Sequence, residues 1–143
     1  MAAPSRQVAV VIWGAILASP VAFAVGALVA RTPPEMPQLR GLFLWMAAAV
    51  AGLGILVSRA LPQRIRAGAS APGTALTRLV VGWGILEGAA LFPLVAYLVT
   101  GDPWLFLFVA VVLAALVAAF PGEARWTGAG GSPPAGGASP GGR

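Results

Sequence analysis

The chain of 143 residues contains no cysteine, no histidine and no lysine. Without thiols or imidazoles it cannot form disulfides, iron–sulfur clusters or the common zinc sites, and without lysine it cannot form a Schiff base. It has four acidic residues, Glu35, Glu87, Asp102 and Glu123. They are too far apart in the chain to predict a paired-carboxylate site. We therefore expect no enzyme activity, no metal and no cofactor.

Charge is also scarce, at 9% of the residues, whereas 59% are hydrophobic. A soluble domain is about 25% charged. The composition therefore predicts an integral membrane protein whose main partner is the lipid bilayer. The net charge of +5 comes from arginines that flank apolar runs. Because these arginines are not clustered with aromatic residues, we expect no nucleic-acid partner. The abundance of Ala, Gly, Pro and Arg is typical of a bacterial protein from a GC-rich genome.

Four continuous apolar segments cover about residues 8–30, 39–61, 79–100 and 103–120. A helix of about 20 residues crosses the hydrocarbon core, and continuous runs favour helices over barrel strands. We therefore predict an all-α bundle of four transmembrane helices in residues 1–120. Residues 121–143 are rich in Gly, Pro and Ser and are predicted to form a disordered tail. Asp102 and Pro103 are suited to cap and begin the fourth helix.

The arginines predict the orientation of the spans. Most lie before the first span, between the second and third, or after the fourth: Arg6, Arg59, Arg64, Arg66, Arg78, Arg125 and Arg143. The positive-inside rule then predicts a multi-pass protein of the inner membrane with both termini cytoplasmic. An alternative is that the first segment is a signal peptide, with Ala22-Phe23-Ala24 as its cleavage site.

A weak internal repeat links the two halves of the chain. The run Trp13-Gly14-Ala15-Ile16-Leu17 is echoed by Trp83-Gly84-Ile85-Leu86. A duplicated helical hairpin would explain this similarity. Chance matching between apolar segments is the alternative.

Glu87 is the one ionisable residue deep within a predicted span. A charged residue there costs about 2.5–3.5 kcal/mol on insertion scales, and such residues are commonly functional. Small residues around it, Gly84, Gly88 and Ala90, predict close packing of a neighbouring helix. Pro93 removes a helical hydrogen bond and frees a backbone carbonyl. The carboxyl is interpreted as a proton- or cation-binding site, as a hydrogen-bonding group between helices, or as part of an interface with another subunit.

The third span resembles the carboxylate helix of the rotor-ring c subunit of ATP synthases, the proteolipid family. The positions that carry the resemblance are Gly82, Glu87, Ala90, Leu91, Phe92, Leu94 and Val95. The second span resembles the partner helix through Gly52 and Gly54, and Pro62-Gln63-Arg64 is similar to the family's loop in reversed order. The resemblance covers about residues 41–100. Because Trp83 and Pro93 depart from the family pattern, it implies a c-subunit-like membrane protein rather than a working rotor subunit.

The sequence thus leaves two main hypotheses for function. The first is a small polytopic membrane protein, without enzyme activity, that binds a proton or cation at Glu87. The second is a structural or accessory subunit that assembles with copies of itself or with a larger membrane complex. A third hypothesis is a half-transporter that works only as a dimer.

Overall fold

The computed structural model describes residues 6–30, 36–65 and 72–121. Within these ranges the chain forms four α-helices: α1 (Arg6–Ala30), α2 (Arg40–Ile65), α3 (Pro72–Thr100) and α4 (Leu105–Ala118). A short 3-10 helix, Pro37–Leu39, precedes α2, and no β-strand occurs in the described ranges. The all-α prediction is therefore confirmed. The predicted disordered tail lies, apart from Pro121, outside the described residues.

Three of the predicted spans correspond to long helices. By length and composition, α1, α2 and α3 are apolar enough to cross a membrane, whereas α4 has only 14 residues. The fourth predicted span, residues 103–120, is therefore longer than the helix found there. The difference arises because Pro103 and Trp104 form a turn before α4, and because Phe120 lies beyond its end.

α3 is the central helix and contacts each of the other three. Its buried face combines large and small side chains: Trp83, Leu86, Ala89, Ala90 and Leu94. α2 approaches α3 closely at Gly54, where a Cβ atom would lie 2.8 Å from the Cβ of Ala89. Glycine at this position lets the two backbones come close, as small residues do between membrane helices.

A left-handed glycine ends α3. Gly101 has a φ of 69°, and its N–H donates to the carbonyl of Tyr97 at 2.7 Å. Glycine adopts this conformation without the steric cost that other residues pay, so it commonly terminates helices. The chain turns directly towards α4, because the N–H of Leu105 bonds to the carbonyl of Asp102.

The bundle has two distinct ends, which we name by their residues. At the aspartate end, around Asp102, the N–H of Met36 donates to the carbonyl of Val99 at 3.0 Å. This bond joins the segment before α2 to the last turn of α3. At the opposite, tryptophan end, Trp13 of α1 and Trp83 of α3 bond to the last turn of α4.

Candidate functional site

Glu87 lies on α3 at the boundary between the buried and the exposed face of the helix. Residues three and four positions apart are neighbours on a helix surface. On one side of Glu87 these neighbours are Trp83 and Ala90, which are 2% and 0% exposed. On the other side the helix presents Gly84, which is exposed, and Glu87 itself is partly buried. The carboxyl therefore projects from the edge of the bundle rather than from its core.

The carboxyl group of Glu87 has no hydrogen-bond or ion-pair partner within residues 6–30, 36–65 and 72–121. The interhelical hydrogen bond that the sequence allowed is thus not formed between the described helices. The same residues contain no group of three or more acidic, histidine or cysteine side chains that could hold a metal ion. Glu87 is therefore a solitary carboxyl in an apolar setting.

The predicted packing at Gly84 and Gly88 differs from what the structure shows. Both glycines are exposed, and a Cβ atom built on either would meet nothing within 4 Å. Within the described part of the chain, no helix packs against this pair. The close glycine contact is at Gly54 of α2, which meets α3 at Ala89 instead. The groove beside Glu87 is consequently open to the surroundings of the bundle.

The other two residues predicted to surround the carboxyl are in the interior. Ala90 and Pro93 are both fully buried. Ala90 belongs to the main core cluster, together with Trp83, Leu86 and residues of α1, α2 and α4. The structure thus separates the predicted set into two buried residues and two exposed glycines, with Glu87 between them.

Along α3, Glu87 is closer to the tryptophan end than to the aspartate end. It follows Trp83 by one helical turn, or about 6 Å of rise. At the same rise per residue, Arg78 is about 13 Å away and Thr100 about 20 Å away. Glu87 therefore lies within two to three turns of the arginine that begins the apolar part of α3.

Two tryptophan side chains bond to the end of α4. The indole Nε1 of Trp13 donates to the carbonyl of Leu116 at 3.0 Å, and that of Trp83 donates to the carbonyl of Ala119 at 3.3 Å. The last carbonyls of a helix lack the regular intrahelical donors, so side-chain N–H groups can bond to them. The carbonyl of Leu116 also accepts the backbone N–H of Ala119 at 3.1 Å. The ring of Phe120 packs edge-on against Trp13, with centroids 4.9 Å apart. The two indoles therefore stabilise the point where α4 ends.

The sequence placed Trp13 and Trp83 at the same position of a repeat, but it did not predict that their indoles bond to α4. Since α1 and α3 both run from the tryptophan end to the aspartate end, equivalent residues on them reach the same neighbouring helix. The recurrence of a Trp-Gly pair at similar depth in both helices was the signal for this shared contact.

A buried carboxylate joins the helices at the aspartate end. The side chain of Asp102 is 0% exposed, and its Oδ2 accepts a hydrogen bond from Nε of Arg40 at 2.5 Å. Its Oδ1 accepts a bond from the backbone N–H of Trp104 at 3.1 Å, within the turn before α4. The predicted start of the helix is two residues too early, because α4 begins at Leu105 with Trp104 as its N-cap and Pro103 lies in the turn. The pairing with Arg40 was not predicted, because the two residues are 62 positions apart in the chain.

The chain was also compared with known proteins. It matches no protein-family model, and no curated protein or solved structure is significantly similar to it.

Proposed function

We propose that this chain is a polytopic membrane protein without enzyme activity, with four bilayer-crossing helices and a proton-binding carboxyl at Glu87. The observation that carries the proposal is the solitary carboxyl of Glu87, placed in a long apolar helix with no partner among the described residues.

The dimensions of the bundle support four crossings. In α2, the segment from Arg40 to Arg59 rises about 28 Å, close to the hydrocarbon thickness of about 30 Å. α4 alone rises only about 21 Å. The turn at Asp102–Trp104 adds about 6 Å at the rise of a 3-10 helix, which gives about 27 Å in total. The turn before α4 and the end of α4 that bonds to the two tryptophans then lie near the two membrane surfaces.

The arginine distribution supports a cytoplasmic tryptophan end. Arg6, Arg59 and Arg78 lie towards this end, whereas the charge of Arg40 at the aspartate end is balanced by Asp102. Positive residues accumulate on the cytoplasmic side of membrane proteins. The chain would then be a multi-pass protein of the inner membrane, with both termini in the cytoplasm.

A proton fits Glu87 better than a metal ion does. Cations such as Ca²⁺ and Mg²⁺ need six or more oxygen ligands, some of which can be water. The described residues gather no acidic cluster around Glu87 that could supply them. A carboxyl that binds a proton needs no further ligand.

Labelling with a hydrophobic carbodiimide tests the proposal, because this reagent modifies protonated carboxyls in apolar surroundings. In membranes that contain the full chain, we expect labelling of Glu87 at low pH and protection at high pH. Glu87→Gln serves as the control, since it keeps the shape of the side chain and should abolish the label. Absence of labelling in the wild-type protein at low pH would rule out the proton site.

A second candidate function, an accessory subunit, is favoured by the open groove at Gly84 and Gly88. Small residues on a lipid-facing helix allow another transmembrane helix to approach. If the groove is an interface with another copy or another subunit, Gly88→Ile should reduce the size of the solubilised complex on native gels. Gly26→Ile is the control, because Gly26 is also exposed and also has open space around it. Equal effects of the two variants would argue against the groove as an interface.

A further inference from the structure

The tryptophan end carries positive charge that is not neutralised within the bundle. Arg59 of α2 and Arg78 of α3 form no ion pair with any residue in the described ranges. At the aspartate end, by contrast, Arg40 pairs with the buried carboxylate of Asp102. The described part of the chain is therefore basic at one end and balanced at the other.

Each of these two arginines lies at the polar end of an exposed apolar strip. On α2, Leu53 and Leu56 precede Arg59 at intervals of three residues and are 62% and 67% exposed. On α3, Val81 follows Arg78 at the same interval and is 49% exposed. Side chains at this spacing lie on one face of a helix. The α2 strip runs from the guanidinium towards the middle of the bundle, whereas on α3 the strip is the single side chain of Val81, followed on this face by the exposed Gly84.

We infer that the Arg59 and Arg78 strips bind anionic phospholipids of the leaflet at the tryptophan end. A phospholipid has the matching order of groups, since its phosphate would contact the guanidinium and its acyl chain would follow the leucine or valine side chains. The planar guanidinium donates paired hydrogen bonds that fit phosphate oxygens. This inference depends on the membrane-spanning placement proposed above.

The depth of Arg59 agrees with this assignment. Distances towards the tryptophan end can be measured along the helix axes from the contact between Gly54 and Ala89. Arg59 lies about 7 Å from this contact and Arg78 about 16 Å from it. Arg59 therefore lies deeper in the bilayer than Arg78. A long arginine side chain can extend towards the headgroups while its methylene groups remain in the apolar layer. The two residues would then contact phosphates from different depths.

Brominated lipids provide the test, because bromine on an acyl chain quenches tryptophan fluorescence on contact. The full chain would be reconstituted into phosphatidylcholine vesicles that contain a minor fraction of brominated phosphatidylglycerol or, in parallel, brominated phosphatidylcholine. The ratio of the two quenching efficiencies gives the preference for the anionic lipid. We expect wild-type protein to prefer phosphatidylglycerol, with a preference that decreases as salt is raised.

Arginine variants test whether the two strips cause the preference for phosphatidylglycerol. Each arginine near an anionic surface contributes about fivefold, so Arg59→Gln with Arg78→Gln should lower the preference about 25-fold. Arg40→Gln is the matched control at the other end and should leave it unchanged. Wild-type protein that incorporates into vesicles but shows no preference for phosphatidylglycerol would overturn the lipid assignment alone. An equal loss of preference in Arg40→Gln would do the same. Failure of the wild-type chain to incorporate into any vesicle would overturn the membrane placement as well.

Discussion

Trp13 and Trp83 lie on different helices and donate their indole N–H groups to the same terminus of α4. Their acceptors, the carbonyls of Leu116 and Ala119, are separated by about one turn. The two bonds tie α1 and α3 to the shortest helix of the bundle at the place where its own hydrogen-bond ladder ends. α1 makes few other contacts with α4. The Trp13 bond is therefore a polar link between these two helices within the described residues.

Removing one indole N–H should weaken the bundle while leaving its ring packing intact. We expect Trp83→Phe to lower the free energy of unfolding in detergent micelles by about 0.6–2 kcal/mol, the range for hydrogen bonds within membrane proteins. Trp13→Phe should behave similarly. Trp45→Phe is the control, because Trp45 is 80% exposed. If Trp83→Phe were no more destabilising than this control, the indole bonds would contribute nothing measurable.

The Gly54 contact predicts a steric effect between α2 and α3. Gly54→Ala would place a methyl group 2.8 Å from the Cβ of Ala89 and should force the helices apart. Overpacking of this kind costs about 1–3 kcal/mol. Gly52 is two residues, or about half a helical turn, from Gly54 and has open space around it. Gly52→Ala should therefore be neutral or slightly stabilising. Stability would be measured by reversible denaturation in mixed micelles.

A compensating change makes the Gly54 prediction specific. Combining Gly54→Ala with Ala89→Gly moves the methyl group from one helix to the other and should restore much of the lost stability. A double variant as unstable as Gly54→Ala alone would indicate that the contact does not limit the approach of the helices.

Substitutions at Arg40 and at Asp102 should lower the stability of the bundle by different amounts. Asp102→Ala removes the ion pair and also the acceptor for the Trp104 N–H, so it should destabilise the bundle more than Arg40→Gln does. Loss of the capping acceptor alone costs about 1 kcal/mol. Asp102→Asn keeps an oxygen acceptor and should fall between the two. Chemical denaturation of the three variants measures this order, and a larger effect of Arg40→Gln than of Asp102→Ala would contradict it.

The topology can be tested with reporter fusions. An enzyme that is active only in the cytoplasm should be active when fused within residues 68–73 or at Arg143, and inactive within residues 33–37. A reporter that is active only outside the cytoplasm should give the opposite pattern. A periplasmic signal from the C-terminal fusion would show that the number or direction of the crossings differs from the proposal.

Several features of the fold could be predicted from the sequence because they depend on local chemistry. The apolar run at about residues 8–30 became α1 (Arg6–Ala30), and the run at 79–100 ends with α3 at Thr100. Long continuous apolar segments can satisfy their backbone groups internally only as helices. The sequence also indicated a chain reversal near Asp102 and Pro103, although α4 begins two residues later than predicted, at Leu105.

The side of each helix that packs against its neighbours could not be predicted in the same way. In a soluble helix the polar stripe identifies the outer face, but a helix in lipid is apolar on every side. The sequence therefore predicted packing at Gly84 and Gly88, and only the assembled bundle shows that Gly54 is the glycine that meets another helix. For the same reason, the partly buried position of Glu87 at the edge of the bundle could not be predicted from its sequence neighbours.

By itself, then, the sequence determined the helical class, the approximate limits of the helices and the turn at Asp102, because each depends on residues that are adjacent in the chain. The tertiary structure decided which carbonyls Trp13 and Trp83 reach, that Arg40 pairs with Asp102, and that the carboxyl of Glu87 has no partner among the described residues. These contacts join separate helices, and their geometry depends on how the helices rotate and slide against one another. That arrangement follows from packing of small and large side chains across the whole bundle rather than from any local pattern.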